Sequence, residues 1–231
     1  PDPVPPSGVT PEPALASLPP VAPVPPLLLA PMLVPASPGR TPPISSESGG
    51  ANKLHPSETS FTATMARAYE TAVRVNGHTV AIRDLYRMKF DPCLRESEIP
   101  CSNNFETPPD IVDEHALLAD TDVFALFYPL WLNAPPAMLK GYMERVFGMG
   151  FAYRRGRGGN EPLLMGKRLL SVSSSGAPMD WVVKTGAWQA MRTLFDSHFA
   201  AGCGLDIVDH IHFGGVVPGV RDDFVEKCAA T

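Results

Sequence analysis

Residues 120–147 read DTDVFALFYPLWLNAPPAMLKGYMERVF. Asp120 to Tyr128 carries VFALFY, a nearly continuous apolar run with charge on one side and Pro129 on the other, the pattern of a parallel strand covered on both faces. From Pro136 to Phe147 the period changes to that of a helix. Met138, Leu139, Tyr142, Met143 and Val146 form its apolar side, and Glu144 and Arg145 are read as facing solvent. A central strand followed by an amphipathic helix is the start of a βαβ unit.

The flanks repeat the alternation. Toward the C-terminus, Lys167–Ser174 (KRLLSVSS) reads as a strand that leads through Ser175-Gly176-Ala177-Pro178 to a helix around Thr185–Ala201. Gly204–Phe213 (GLDIVDHIHF) reads as a further strand and Arg221–Ala229 as a last helix. Toward the N-terminus, Phe61, Met65, Ala68, Ala72 and Val75 recur at steps of three and four, and Asn76-Gly77 supplies a helix stop. His78–Leu85 (HTVAIRDL) reads as a strand. Strands alternating with helices at this spacing predict an α/β fold, a doubly wound parallel sheet with helices on both faces. Ligands in such sheets bind beyond the carboxyl ends of the strands. That selects three loops: His55–Thr62, Pro129–Ala134 and Ser173–Pro178.

The first loop is a hydroxyl-rich turn that opens a helix, where free amides and the positive helix end favour phosphate. Ser57, Thr59 and Ser60 add hydroxyls, and a plain N-cap explains the same residues equally well. Nucleotide motifs fail elsewhere. Gly156-Arg157-Gly158-Gly159 lacks the later glycine of the dinucleotide turn, and Gly166-Lys167-Arg168 has Arg where a phosphate loop needs Ser or Thr. Ser173–Gly176 does not fit a hydrolase nucleophile elbow. Asp209, His210 and His212 lack an evident third ligand, so histidines at a strand end are preferred to a metal site.

Composition narrows the partners. Nineteen Lys and Arg against 24 Asp and Glu leave a formal charge of −5, which argues against nucleic acid. Of the 27 prolines, 16 fall in residues 1–50, which read as a Pro-rich disordered arm ahead of a folded domain at 51–231. The arm's most apolar stretch, Leu27–Val34, is interrupted by Pro31 and far short of the roughly 20 residues a membrane span needs. Cys93, Cys101, Cys203 and Cys228 form no C-x-x-C pair, which points to a reducing, cytoplasmic setting.

A specific resemblance joins these pieces. Phe127–Phe147 looks like the P-L-x-W-x-x-x-P-A-x-L-K-G-x-x-[DE]-R-V-F signature of the flavodoxin-like NAD(P)H:quinone oxidoreductases. Other landmarks follow that family's order: H-P-x-x-x-S-F at His55–Phe61, G-H-x-V-x-x-x-D-L-Y at Gly77–Tyr86, F-D-P at Phe90–Pro92, and the Ser/Thr-rich turn. The resemblance implies a flavodoxin strand order, 2-1-3-4-5, and a noncovalent flavin, FMN or FAD, reduced by NADH or NADPH and reoxidised by a quinone-type acceptor, in a homodimer. Carried across by position, His55, Ser60, Phe61 and Thr62 would hold the flavin phosphate. Pro129, Leu130, Trp131, Leu132 and Asn133 would border the ring, and Ser173, Ser174, Ser175 and Gly176 its pyrimidine end.

The chain also departs from the family. Leu132-Asn133 stands where relatives often have Trp-Phe. Trp181 stands near the position of the family's catalytic Tyr and is the catalytic candidate, and Ala187-Trp188 replaces its His. Where the family's first strand belongs, Ser45–Leu54 has almost nothing to bury, so that strand is read as atypical or missing. A flavin-binding regulatory subunit of an ion-efflux system and an inactive remnant of the fold are therefore the alternatives. Arg154, Arg155 and Arg157 read as a solvated basic loop in preference to a site for the NADPH 2′-phosphate. Tyr86–Pro109, punctuated by Pro92, Cys93, Pro100, Cys101 and Pro108, reads as a loop without chemistry of its own.

Overall fold

The computed structural model describes residues 57, 59–100 and 104–230. The Pro-rich stretch, Ser45–Leu54, His55 and Cys101 lie outside the described residues. Within them, three parallel strands form the main sheet in the order β1-β4-β5: β1 (Val123–Pro129), β4 (Arg168–Ser174) and β5 (Asp206–Phe213). Register runs from Val123 opposite Arg168 to Pro129 opposite Ser174, and from there to Phe213, so all three strands end together. This common carboxyl edge is where the loops of interest begin.

Helices cover both faces, as the two-sided burial of β1 requires. One face of the sheet, through Phe124, Leu126, Tyr128 and Leu169, packs in a core with Ile111 and Leu118 of α2 (Pro109–Leu118), Leu139, Tyr142 and Val146 of α3 (Ala137–Val146), and Met191, Ala200 and Cys203. The other face, through Phe127 and Val172, packs on α1 (Phe61–Val75) and α7 (Asp222–Ala229). Tyr69 meets Phe127 at 5.4 Å between ring centroids, and Phe61 meets Phe213 at 5.4 Å. Fully burying a side chain such as Val146 or Leu169 stabilises the fold by about 1.5–3 kcal/mol each. The periodicity read for α1 is observed with its stop: Asn76 caps the last turn through Ala72 O at 2.8 Å, and Gly77 takes φ +81°.

Past β4, α4 (Met179–Lys184) and α5 (Ala187–Met191) precede a wider, π-helical turn at Arg192–His198, and α6 (Phe199–Cys203) completes the crossover to β5. A π-helical stretch admits an extra residue per turn, shifting the side chains that face inward. Arg154 and Arg155 lie not in a loop but in a β-hairpin, β2 (Tyr153–Gly156) with β3 (Gly159–Pro162), where Arg154 pairs with Glu161 at 2.9 Å across the solvent face. None of the helices among the described residues is long and apolar enough to cross a membrane. Cys93, Cys203 and Cys228 are free thiols.

Two local readings are corrected. His78–Asp84 belongs to no strand, because no described segment pairs with it. The apolar residues of 78–85 pack instead: Leu85 is buried in the core with Ile111 and Leu118, and Ile82 lies half-buried against the α1 side. Arg83 forks onto Glu114, whose Oε1 also accepts from the Tyr142 hydroxyl at 2.6 Å. Arg145 does not face solvent. It is 3% exposed, donates from Nε to Glu98 Oε1 at 2.8 Å and from Nη1 to Asp91 O at 2.7 Å, and lies over Phe90. The guanidinium fork reaches across to tie the 90–98 loop to α3, a demand that helical periodicity does not reveal. Gly141 lets the same loop approach, since a Cβ there would sit 2.2 Å from Pro92 O.

Candidate functional site

The three loops selected from the sequence meet at the carboxyl edge. Thr62 Oγ1 lies 3.5 Å from Ser174 Oγ, and Leu130 N donates to Ser174 O at 2.6 Å. Phe61, Thr62, Tyr128, Ser173, Ser174 and Phe213 line a crevice between them that is too tight for a water molecule. A roomier cleft, about 370 Å³, is lined by Arg83, Met88, Lys89, Phe90, Asp91, Asp110, Asp113 and Glu114, none of them from these loops.

At the first loop, Ser60 is the N-cap of α1 and its Oγ accepts from Ala63 N at 3.2 Å. The hydroxyl hydrogen of Ser60 is left to donate outward. No acidic residue occupies the first turn, so none of the turn's own side chains offsets the positive helix end. The amides of Phe61 and Thr62 open the helix ahead of the first intrahelical bond, where donors have no partner in the helix itself. Ser57 and Thr59 hydroxyls bond each other at 3.2 Å.

The second loop is a tight reversal. Trp131 and Ala134 exchange both backbone hydrogen bonds, at 3.0 and 3.2 Å, and the residues between them, Leu132 and Asn133, have φ of +52° and +58°. Positive φ at a Leu is strained, and such strain clusters at ligand sites. The turn holds Leu132 fully exposed, with Trp131 and Asn133 also exposed and Pro129 buried beneath. An apolar tip held in solvent by a strained turn is a surface made to be covered.

The third loop is braced from below. Ser175 N donates to Phe213 O at 3.0 Å, Val216 N to Ser175 O at 2.9 Å, and Gly215 N to Ala177 O at 2.9 Å. Gly176 is exposed at the tip. Trp181 follows on α4, about half exposed. Ser173 turns its Oγ toward β5, where it lies 2.7 Å from His210 Nε2 and 2.8 Å from His212 Nδ1.

From Ser173 a chain of polar contacts runs through the interior. His210 Nδ1 lies 2.6 Å from Asp196 Oδ2, and Asp196 Oδ1 accepts from Ser171 Oγ at 2.8 Å. His212 Nε2 lies 2.9 Å from Ser175 Oγ, which donates to Ala177 O at 2.8 Å. Trp188 covers both rings, at 5.0 Å from His210 and 5.7 Å from His212. Burial, with His210 beside it, lowers His212 to about 4, and burial followed by the nearby Asp196 raises the Tyr128 hydroxyl far above its usual range. Asp209, grouped with these histidines in the sequence, is exposed and accepts from the His210 amide at 2.6 Å. Among the described residues no group of three or more His, Cys, Asp or Glu is placed to hold a metal. Asp196 was not visible as a partner in the sequence, since the π-helical turn that aims it inward leaves no pattern.

Known proteins match this architecture. A family model described as a flavodoxin-like fold matches residues 53–231. An uncharacterised NAD(P)H oxidoreductase of Haemophilus influenzae is 34% identical over 163 residues, 70% of this chain and 81% of the relative. NAD(P)H dehydrogenase (quinone) 1 of Cavia porcellus is 33% identical over 56% of this chain and 54% of its own length, so the chain spans about half of that relative. The solved NAD(P)H:quinone oxidoreductase of Methanothermobacter marburgensis superposes with a TM-score of 0.69 at 30% identity, covering 76% of this chain and 90% of the other. The parallel β1-β4-β5 sheet, its loops at one edge and these matches together show that the chain belongs to the flavodoxin-like family and stands among its NAD(P)H oxidoreductases.

Proposed function

We propose that this chain is a flavin-dependent oxidoreductase that passes a hydride from NADH or NADPH, through bound FMN or FAD, to a quinone-type small-molecule acceptor. The observation that carries it is the convergence of a helix N-terminus with no acidic residue in its first turn and a strained, apolar-tipped turn at one sheet edge. The donor set suits such a group: Ser60, Phe61 and Thr62, with His55 preceding them, offer hydroxyls and amides to a phosphate. Pro129, Leu130, Trp131, Leu132 and Asn133 offer an apolar border to a planar ring. Ser174, Ser175 and Gly176 offer hydroxyls and backbone to its polar end, with Ser173 behind them.

When bound, the flavin supplies the hydride chemistry, and the protein supplies position and charge. Phe61 and Thr62 would hold one end of the group, the 130–134 turn would border its ring, and the braced 173–178 turn would hold the other end, which would orient it for donor and acceptor. Trp181 borders the site from α4 and carries no exchangeable hydroxyl, so its part is packing and orientation. The relatives' names support NAD(P)H as donor, and quinone reduction follows two of them. The exposed Leu132, Trp131 and Trp181 favour a second copy covering the site in a homodimer, and free thiols fit a cytoplasmic setting.

The test is an absorbance spectrum of the purified chain incubated with FMN or FAD and freed of excess. Retained flavin that bleaches with NADH or NADPH and recovers with menadione is the expected result. Retained flavin that neither dinucleotide bleaches indicates a binding protein in place of an enzyme, and no retained flavin overturns the proposal.

A further inference from the structure

The buried polar chain behind the site has a direction, which can be counted from its hydrogen atoms. Ser175 Oγ donates its single hydrogen to Ala177 O, so toward His212 it accepts, and His212 Nε2 carries a hydrogen. A neutral His212 then has a bare Nδ1, which accepts from the Ser173 hydroxyl. Ser173 Oγ must in turn accept from His210 Nε2. That leaves His210 Nδ1 facing Asp196 Oδ2 at 2.6 Å with one hydrogen needed between them. With the Ser175 hydroxyl on Ala177 O, as in the structure, the network is satisfied only when the Asp196–His210 pair holds a proton beyond that of a neutral histidine and an ionised carboxylate. Both side chains are shut off from solvent, at 0% and 3% exposure.

Removing that proton reverses every bond between His210 and Ser175. His210 keeps Nδ1–H on Asp196, its Nε2 accepts from Ser173, Ser173 accepts from His212 Nδ1–H, and His212 Nε2 accepts from a Ser175 hydroxyl turned away from Ala177. Ser173, His212 and Ser175 each pass on one hydrogen and receive another, so the proton that His210 gives up is matched by one leaving at Ser175 without any ring moving.

We propose that Asp196, His210, Ser173, His212 and Ser175 form a proton relay: the buried Asp196–His210 pair stores one proton, and the chain delivers it at Ser175, in the third site loop. This rests on the function proposed above, whose balance requires such a source. NAD(P)H and a quinone give NAD(P)⁺ and a hydroquinone; the hydride brings two electrons and one hydrogen, and one further proton must reach the acceptor. It leaves Ser175 Oγ as His212 Nε2–H replaces it, and the vacancy travels to His210. Water at the exposed loop tip refills the relay in the opposite sense. Among the described residues, β4 presents Ser171 to Asp196 and Ser173 to His210, β1 sets the Tyr128 ring beside His210, and α5 presents Trp188, under the Arg192 guanidinium. Asp209, on β5 itself, binds the His210 backbone rather than its ring.

The flavin-free chain tests the store by nitrogen-resolved NMR of its histidine rings from pH 5 to 10. His210 is expected to carry Nε2–H and His212 Nε2–H at the low end of the range, and both rings are expected to change form at one common pH. In Ser173→Ala, which removes a single hydroxyl, the tautomer change of His212 is lost while that of the His210 ring remains. A His210 ring that keeps one form across the range, or two rings that change separately in the unsubstituted chain, overturns the relay. The flavin-loaded chain tests delivery: in Asp196→Asn, which keeps the side chain's shape, reoxidation by menadione slows about 100-fold and loses its D2O sensitivity. An unchanged rate in a variant that still holds flavin overturns delivery. If the unsubstituted chain holds no flavin, the function above falls, and the ring spectra alone decide whether the store exists.

Discussion

Two clusters of buried charge share this domain and solve the cost of burial differently. Around Arg145 the charges are permanent: a guanidinium never loses its proton, and Glu98, Asp110 and the Asp91 carbonyl surround it. Around His210 the proton is shared by groups that exchange it, with hydroxyls as neutral bridges. The first arrangement can only hold, and it holds the 90–98 loop to α3. The second can also move charge, and it ends at a loop of the candidate site. Truncating a member of each separates the two roles.

The largest effect belongs to the fixed cluster. Arg145→Met strands Glu98 without its partner in the interior, and breaking a buried pair from one side costs about 3–5 kcal/mol. Urea denaturation at pH 7 should show this loss with the slope unchanged. A loss within the range of an exposed ion pair would mean that the loop simply swings out and hydrates its carboxylate. Gly141→Ala attacks the same junction sterically. The new Cβ would lie 2.2 Å from Pro92 O, so loop or helix must shift, at about 1–3 kcal/mol. Thermal unfolding of this variant and of Arg145→Met, singly and combined, should be less than additive, because both release one contact.

This contrast also explains what could be read from the chain alone. β1, β4, β5, α1 and α3 were legible because burial on one or both faces writes a period into the sequence. The alternation of strands and helices selected the three loops, and the match of Phe127–Phe147 to its family gave them a ligand to expect. Arg145 was misread because a single buried arginine among solvent-facing neighbours looks like one more exposed charge. His78–Leu85 alternates like a strand, yet alternation records burial and not pairing, and here Leu85 is buried in one core and Ile82 half-buried against the other with no strand formed. The relay was half written: Ser171, Ser173 and Ser175 alternate on one strand and its extension as His210 and His212 do on the next, and register sets Ser171 beside His210 and Ser173 beside His212. Its anchor, Asp196, comes from a π-helical turn that no pattern announces.

Acidity distinguishes the clusters next. His212 is held near 4 in the fold against 6.5 for an ordinary histidine. Between these values the unfolded chain binds the proton that the folded chain refuses, so stability from this group is complete above about pH 6.5 and is lost as pH falls toward 4. Because the ring is only partly buried, solvent screening leaves a loss of about 1–2 kcal/mol. Denaturation of the unsubstituted chain and His212→Gln at pH 7 and pH 4.5 should show the difference between them shifting by that amount in favour of the variant. The deficit of Arg145→Met, which leaves His212 in place, should lack that His212 contribution.

The smallest effect belongs to charge that was never buried. Arg154 and Glu161 pair at 2.9 Å across the β2–β3 hairpin with 66% and 50% of their side chains exposed, so water already solvates both partners. Their coupling in a double-mutant cycle with Arg154→Ala and Glu161→Ala should be about 0.2–1 kcal/mol and should fall with added salt. A coupling as large as that of Arg145 with Glu98 would require something to exclude water from the hairpin, and the natural candidate is a second copy of the chain seated on it. Dilution through the dimer's dissociation range would then weaken the coupling, whereas a solvent-exposed pair within one chain gives the same value at every concentration.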